Sequence, residues 1–129
     1  MKSIFRLLAI SMLLIFAAPA WSGGSAVHIY HCMQEEQGSD EELEAIVVEW
    51  LAAAKKVKGG ANLEMFVYFP VAVEQGANDF NLMLITPTFA EMGAFLDAYA
   101  GSPLEEIDDR FDKLAACPNA SMWEGVAIE

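Results

Sequence analysis

The chain has 129 residues and a formal net charge of −12, and 55% of its residues are hydrophobic. A chain of this length forms one domain around a single core. The strongly acidic balance argues against nucleic acid and anionic membrane surfaces as partners, because both carry negative charge. Acidic surfaces also keep proteins soluble, so the charge by itself indicates no particular function.

Residues 1–22 have the pattern of a secretory signal peptide. Lys2 and Arg6 give a positive start, residues 7–16 are apolar, and residues 18–22 contain two overlapping cleavage patterns of small residues. The apolar run is shorter than the roughly 20 residues that a membrane-spanning helix needs. We therefore predict a periplasmic or secreted protein that leaves the membrane once the leader is removed, with residues 23–129 forming a single domain.

Residues 26–33, Ala-Val-His-Ile-Tyr-His-Cys-Met, predict a strand that is apolar on both faces. Successive side chains of a strand point to opposite faces, so His28 and Tyr30 lie on one face and His31 lies on the other. A strand that is apolar on both faces is covered on both faces. Helices of the same chain are expected to cover one face, and a second copy of the chain is expected to cover the other.

The two histidines allow two interpretations. Because they point in opposite directions on a regular strand, they are not expected to share a metal ion, and no metal site is predicted. Either both are partly buried and bond to their neighbours, or one of them acts as a ligand or in proton transfer. His28, His31 and Tyr30 are accordingly the catalytic candidates.

The chain has two cysteines, Cys32 and Cys117. In an oxidising compartment an isolated pair indicates a disulfide first. A thioredoxin-like redox pair is disfavoured because the sequence lacks a C-x-x-C motif. Two free thiols, or one thiol acting as a nucleophile, are the alternatives.

A helix is predicted over residues 39–58. Ser39 and Glu42 form a capping box at its start, and Gly59-Gly60 follows its end. Trp50 lies on the apolar face of this helix and is expected in the core; the alternative is that it lines a ligand pocket. The apolar face, at helical spacing, consists of Leu43, Ile46, Val47, Trp50, Ala54 and Val57.

Two strands are predicted next, over residues 63–71 and 79–85, with a turn at residues 74–78. Phe66 and Tyr68 share one face of the first of them. Pro70 cannot donate a hydrogen bond to a neighbouring strand, so that strand is expected at an edge of the sheet.

A split helix and a last strand complete the chain. The helix pieces span residues 89–100 and 102–117, with Thr88 and Ser102 as N-caps, and the strand spans residues 121–128. The acidic residues of the second piece lie mainly off its apolar stripe and are expected on a solvated face. They are Glu105, Glu106, Asp108, Asp109 and Asp112.

This order predicts an α+β fold of the ferredoxin-like β-α-β-β-α-β type. Its four-stranded antiparallel sheet is covered on one face by helices, and the second helix is split in two. Right-handed crossovers place the first and third strands in the centre of the sheet. Cys32 and Cys117 then lie at the same end of the sheet, where a disulfide is geometrically reasonable.

The sequence resembles the dimeric α/β-barrel superfamily, the ferredoxin-like group that includes antibiotic-biosynthesis-monooxygenase-like proteins. The resemblance rests on the strand 27–33, the helix 39–58, the hairpin 63–85, the split helix 89–117 and the last strand. It implies a homodimer in which two sheets pack face to face. Haem-degrading members use a histidine on the second helix, and residues 89–100 contain none, so no catalytic residue is carried over.

Two functions are predicted, and no cofactor is expected for the first. The first is an exported homodimer that binds a small apolar ligand. The second is a cofactor-independent oxygenase-like or haem-binding enzyme that uses a histidine of the first strand. Serine hydrolase, P-loop, Rossmann and zinc motifs are absent from the sequence. The candidate binding residues are His28, Tyr30, Trp50, Phe66, Tyr68 and Trp123.

Overall fold

The computed structural model describes residues 24–36, 38–71 and 79–128. The predicted leader and the turn at residues 74–78 lie outside these residues. Within the described ranges, no helix is both long enough and apolar enough to cross a membrane. The elements are β1 (Ser25–Gln34), α1 (Asp40–Ala54), β2 (Glu64–Tyr68), β3 (Asp79–Thr86), α2 (Phe89–Tyr99), α3 (Leu104–Phe111) and β4 (Ala115–Gly125).

The four strands form one antiparallel sheet in the order β2-β3-β1-β4. The predicted fold class is confirmed, with β1 and β3 in the centre and the Pro70-flanked β2 at an edge. Tyr30 of β1 lies opposite Leu82 of β3 and Ala120 of β4. Since side chains alternate along each strand, these three residues share the face that the helices cover.

The core lies between this face and the helices. The predicted apolar face of α1 is buried from Leu43 to Ala54, and α2 contributes Met92 and Phe95. Strand β3 contributes every second side chain to the core, namely Phe80, Leu82 and Leu84. Each such side chain contributes about 1.5–3 kcal/mol through burial.

Helix α1 begins as predicted and ends earlier than predicted. The Ser39 hydroxyl accepts a hydrogen bond from the backbone N–H of Glu42, whose carboxylate accepts one from the Ser39 backbone. The helix ends at Ala54 because the N–H groups of Lys56 and Val57 bond to carbonyls three residues back, which tightens the chain into turns. Gly59 follows with φ +83°, a conformation that glycine adopts readily.

The largest differences from the sequence-based expectation concern α3 and β4. The second helix piece, predicted over residues 102–117, is the shorter helix α3 over Leu104–Phe111. Strand β4 begins at Ala115 rather than at residue 121. Between the pairs His31–Asn119 and Met33–Ala116 the register shifts, so two residues of β4 lie opposite one residue of β1. This β-bulge accommodates Pro118, which cannot donate to the ladder.

Cys32 and Cys117 form the predicted disulfide. Cys117 lies in the bulge, where it faces the end of β1. The bond links a central strand to an edge strand across 85 residues of chain. Closing a loop of this length stabilises the fold by up to about 4–5 kcal/mol in the chain-entropy model.

Candidate functional site

A cavity of about 390 Å³ lies between the helices and the sheet. Ligand pockets in proteins commonly have volumes of about 300–1,000 Å³, with mainly apolar walls and a few polar groups. The wall here follows that pattern, with two carboxylates among mostly aromatic and aliphatic side chains. It is formed by Tyr30, Val47, Trp50, Met65, Leu82, Leu84, Phe95, Leu96, Tyr99, Asp108, Phe111, Asp112 and Cys117.

The position of the cavity follows from the split of the second helix. Helix α2 packs against β1 and β3, whereas α3 packs against α1. The break between them lies at Gly101, which has φ +75°. Where α2 and α3 part, Leu96 of α2 lies at the cavity wall and remains 40% exposed.

Asp108 provides the polar centre of the cavity. Its Oδ1 accepts a 2.7 Å hydrogen bond from Nε1 of Trp50. Burial raises the pKa of the Asp108 carboxyl to about 6, the Trp50 hydrogen bond lowers it, and the charges of Asp112 and Asp109 raise it. A carboxyl group that titrates near neutral pH in an apolar cleft is suited to exchange a proton with a ligand or to pair with one.

Tyr30 brings a second polar group to the cavity from the central strand. Burial and the nearby charge of Asp108 raise the pKa of its phenol. The hydroxyl therefore keeps its proton at neutral pH and can both donate and accept a hydrogen bond.

The six predicted binding residues lie on two sides of the sheet, three on the side that the helices cover and three on the opposite side. Tyr30 and Trp50 line the cavity. His28 lies on the same face of the sheet, with its ring centroid 4.2 Å from that of Tyr30, but it is not part of the cavity wall. Burial lowers the pKa of His28, and its Nδ1 has no hydrogen-bond partner among the described residues.

Phe66, Tyr68 and Trp123 lie on the opposite face of the sheet, which no helix of the described chain covers. Phe66 is 41% exposed and Trp123 is 59% exposed. We call this surface the open face. Its apolar side chains, assigned from the strand register, are Val27, Ile29, Met33, Phe66, Met83, Ile85 and Trp123.

A polar row crosses the open face at one end. The register aligns Tyr68, Asn81, His31 and Asn119 across all four strands. His31 Nδ1 lies 2.7 Å from Asn81 Oδ1, so the ring nitrogen donates a hydrogen bond to the amide oxygen. His31 thus bonds to a neighbouring side chain and lies on the far side of the sheet from the cavity.

The cavity wall does not fit a histidine-ligated haem. Such a haem needs an imidazole aimed at the iron, and neither His28 nor His31 lines the cavity. Among the described residues there is also no cluster of three His, Cys, Asp or Glu side chains that could hold a metal ion.

The sequence-based assignment missed Asp108, which was expected on a solvated face. The structure places it half-buried in the cavity wall. A signal was available, because Asp108 follows Leu104 by four residues and precedes Phe111 by three. Residues at these spacings share one side of a helix, so Asp108 interrupts the apolar stripe instead of facing away from it.

The sequence matches no protein-family model and no curated protein. The fold is similar to that of SnoaB, a cofactor-independent oxygenase from Streptomyces nogalater, with TM-score 0.58 and 9% identity over 81% of this chain and 96% of SnoaB. It is also similar to a protein of Chloroflexus aurantiacus J-10-fl assigned to the antibiotic biosynthesis monooxygenases, with TM-score 0.53 and 13% identity over 81% and 96% of the two chains.

A third similar structure, NE2512 from Nitrosomonas europaea, is a protein of unknown function. It has TM-score 0.54 and 14% identity over 84% of this chain and 94% of NE2512. At these identities the similarity establishes the fold alone. The fold is the ferredoxin-like fold of the antibiotic-biosynthesis-monooxygenase-like proteins, as the resemblance in the sequence implied.

Proposed function

We propose that this protein is an exported homodimer that binds a small, largely apolar molecule in the cavity between its helices and its sheet. The cavity itself is the observation that carries the proposal. Apolar walls provide affinity, and a few fixed polar groups orient the bound molecule. Trp50 and Asp108 supply such groups from two different helices, already joined by their hydrogen bond.

The open face supports the homodimer. Contiguous apolar surfaces of more than a few hundred Å² are uncommon on monomers and usually mark interfaces. In the superfamily that the sequence resembles, two sheets pack together by this face. Such a dimer leaves the cavity of each subunit on the outer side of its own sheet, so dimerisation and ligand binding use separate surfaces.

Two features support export. Residues 1–22 have the charge and hydropathy pattern of a signal peptide. The Cys32–Cys117 disulfide suits an oxidising compartment, since disulfides form and persist there.

Ligand binding is tested by titration with N-phenyl-1-naphthylamine, a neutral apolar probe that fluoresces when it leaves water. Leu96→Trp fills the cavity from its rim, where Leu96 is 40% exposed and a larger side chain is tolerated. Val48→Trp is the matched control, because Val48 is 69% exposed on α1 and lies outside the cavity wall.

We expect saturable binding to the wild-type protein and to Val48→Trp. Leu96→Trp should weaken binding by about ten-fold or more, since occupied space excludes the probe from its apolar contacts. Equal binding to all three proteins, or a signal that does not saturate, would show that the cavity is not the binding site.

A second candidate function is catalysis without a cofactor, and Asp108 is the observation that favours it. A carboxylate with a pKa of about 6 can act as a general base that removes a proton from a C–H group of a bound carbon acid. The carbanion then forms a C–O bond to dioxygen, which is reduced to the peroxide level, and the Asp108 carboxyl returns its proton to give an organic hydroperoxide. SnoaB, which has a similar fold, is a cofactor-independent oxygenase. Oxygen uptake with 2-tetralone, a carbon acid that stays uncharged at neutral pH, tests this function: uptake should exceed that in buffer and should fall in Asp108→Asn.

A further inference from the structure

We infer that the cavity selects amphipathic cations, molecules with an apolar ring body and an amine that pairs with the Asp108 carboxylate. This inference rests on the proposed function, because it names the class of ligand for the same cavity. It follows from the hydrogen bonds, charges and aromatic groups around Asp108.

The carboxylate of Asp108 can accept a further hydrogen bond. Oδ1 accepts the Trp50 N–H, while Oδ2 accepts no hydrogen bond from the described residues. A half-buried carboxylate gains most from a charged donor, since burial without a partner is unfavourable and charge-assisted hydrogen bonds are the strong ones. Asp112, which directly follows the last residue of α3, lines the same cavity and adds a second negative charge.

The described part of the cavity wall contains no Lys, Arg or His that could neutralise these two acids. Arg110 lies between them in sequence, but both of its terminal nitrogens bond to the carboxylate of Glu49 in an exposed pair. The two carboxylates are therefore available to a cationic ligand, and they repel an anionic one.

The aromatic side chains of the wall also favour a cation. Trp50, Tyr30, Tyr99 and Phe111 line the cavity together. The faces of such rings attract ammonium groups, and the attraction strengthens as water is excluded. The net charge of −12 further raises the local concentration of cations around the protein.

Affinity for the cation should depend on pH. The groups that act on Asp108 are Asp109 of its own helix, Asp112 just after that helix and the Trp50 indole from α1, and the charge of Asp108 in turn raises the pKa of the Tyr30 phenol from β1. Because the Asp108 carboxyl titrates at a pKa of about 6, its charged form predominates above that pH. Cation binding should weaken as the pH falls through 6, while binding of a neutral ligand should change little.

The test compares three probes that share a naphthalene ring and differ in one group. They are 2-naphthaleneethanamine (cationic), 2-naphthaleneethanol (neutral) and 2-naphthaleneacetate (anionic), each titrated by calorimetry into the mature protein, residues 23–129, at pH 7.5. Asp108→Asn removes the charge but keeps the amide oxygen that can accept the Trp50 N–H. Asp97→Asn is the matched control, since Asp97 is exposed on α2 outside this cavity.

We expect the amine to bind about ten-fold more tightly than the alcohol, as a charge-assisted hydrogen bond implies, and the acetate to bind most weakly. Asp108→Asn should bring the ratio of amine affinity to alcohol affinity to about one and abolish its pH dependence; Asp97→Asn should retain both. If the alcohol binds as tightly as the amine, cation selection is wrong and the apolar binding site stands. If none of the three probes binds, both proposals fail.

Discussion

The indole Nε1 of Trp50 donates a 2.7 Å hydrogen bond to Oδ1 of Asp108. The bond joins α1 to α3, which pack against each other, and it lies in the wall of the cavity. Burial raises the pKa of the Asp108 carboxyl to about 6. The bond therefore couples the packing of the two helices to the protonation of this carboxyl.

Removal of the indole donor should raise the pKa of Asp108. The hydrogen bond from Trp50 stabilises the charged carboxylate, so Trp50→Phe should move the pKa of Asp108 above 6. A ¹³C NMR titration of the labelled side-chain carboxyls measures this. Trp123→Phe, on the open face, is the matched control and should leave the pKa unchanged. An unaltered or lower value in Trp50→Phe would mean that the hydrogen bond does not control the charge.

Asp108 should make the fold less stable as the pH rises. Its folded-state pKa of about 6 lies above the ordinary value of 3.8, so the folded protein binds a proton more tightly than the unfolded chain does. Stability from this group is complete below pH 4 and is lost as the pH rises through 6. Asp108→Asn should therefore have a higher Tm than the wild type at pH 7.5, with the difference closing near pH 4.

Asp97→Asn, which removes an exposed charge elsewhere, controls for the net charge in this comparison. It should follow the wild-type Tm across the same pH range. If Asp108→Asn melts below the wild type at pH 7.5, the carboxylate stabilises the fold and the assigned direction of its pKa shift is incorrect.

Loss of the disulfide should be costly. The double variant Cys32→Ser/Cys117→Ser should lose about 2–5 kcal/mol of unfolding free energy, the usual range for a native bridge in a small exported domain. Urea denaturation measures the loss, and dithiothreitol should destabilise the wild type while leaving the variant unaffected. Equal stability of variant and wild type without reductant would show that the bridge does not stabilise the fold.

A charge on the open face should disrupt the proposed dimer. Phe66→Glu places a carboxylate among apolar side chains of that face, where a facing sheet would bury it without a partner, at a cost of several kcal/mol. Native mass spectrometry should find a dimer for the wild type and a folded monomer for Phe66→Glu. Val48→Glu, an equal change on the exposed side of α1, should remain dimeric. A monomeric wild type would exclude the dimer.

Most of the fold could be predicted from local patterns. The apolar run of β1, the capping box at Ser39 and the helical spacing of the apolar residues around Trp50 each indicate one type of element, and the order of the elements predicts the ferredoxin-like topology. Local patterns do not determine the C-terminal third, because Pro118 fits the end of a helix as well as a bulge in an edge strand. Only pairing with β1 distinguishes the two, and pairing is not a local property of the sequence.

The site was harder to predict than the fold. Tyr30 and Trp50 could be predicted as cavity residues, because large aromatic side chains on the apolar faces of a strand and a helix point into the space between them. Phe66, Tyr68 and Trp123 are also aromatic residues of apolar strands. Only the strand register shows that they lie on the face of the sheet away from the cavity. The pKa of Asp108 depends on burial by elements distant in sequence, which the spacing within α3 can suggest but not establish.

The most direct test of the cavity as a binding site uses the two indole N–H groups of Trp50 and Trp123 as internal reporters. They lie on opposite faces of the sheet, the first bonded to Asp108 and the second to Ser121. In ¹⁵N–¹H NMR spectra of the mature protein titrated with 2-naphthaleneethanol, the Trp50 indole signal should shift and saturate while the Trp123 signal stays in place. A shift of Trp123 alone, or no shift of either, would contradict binding in the cavity.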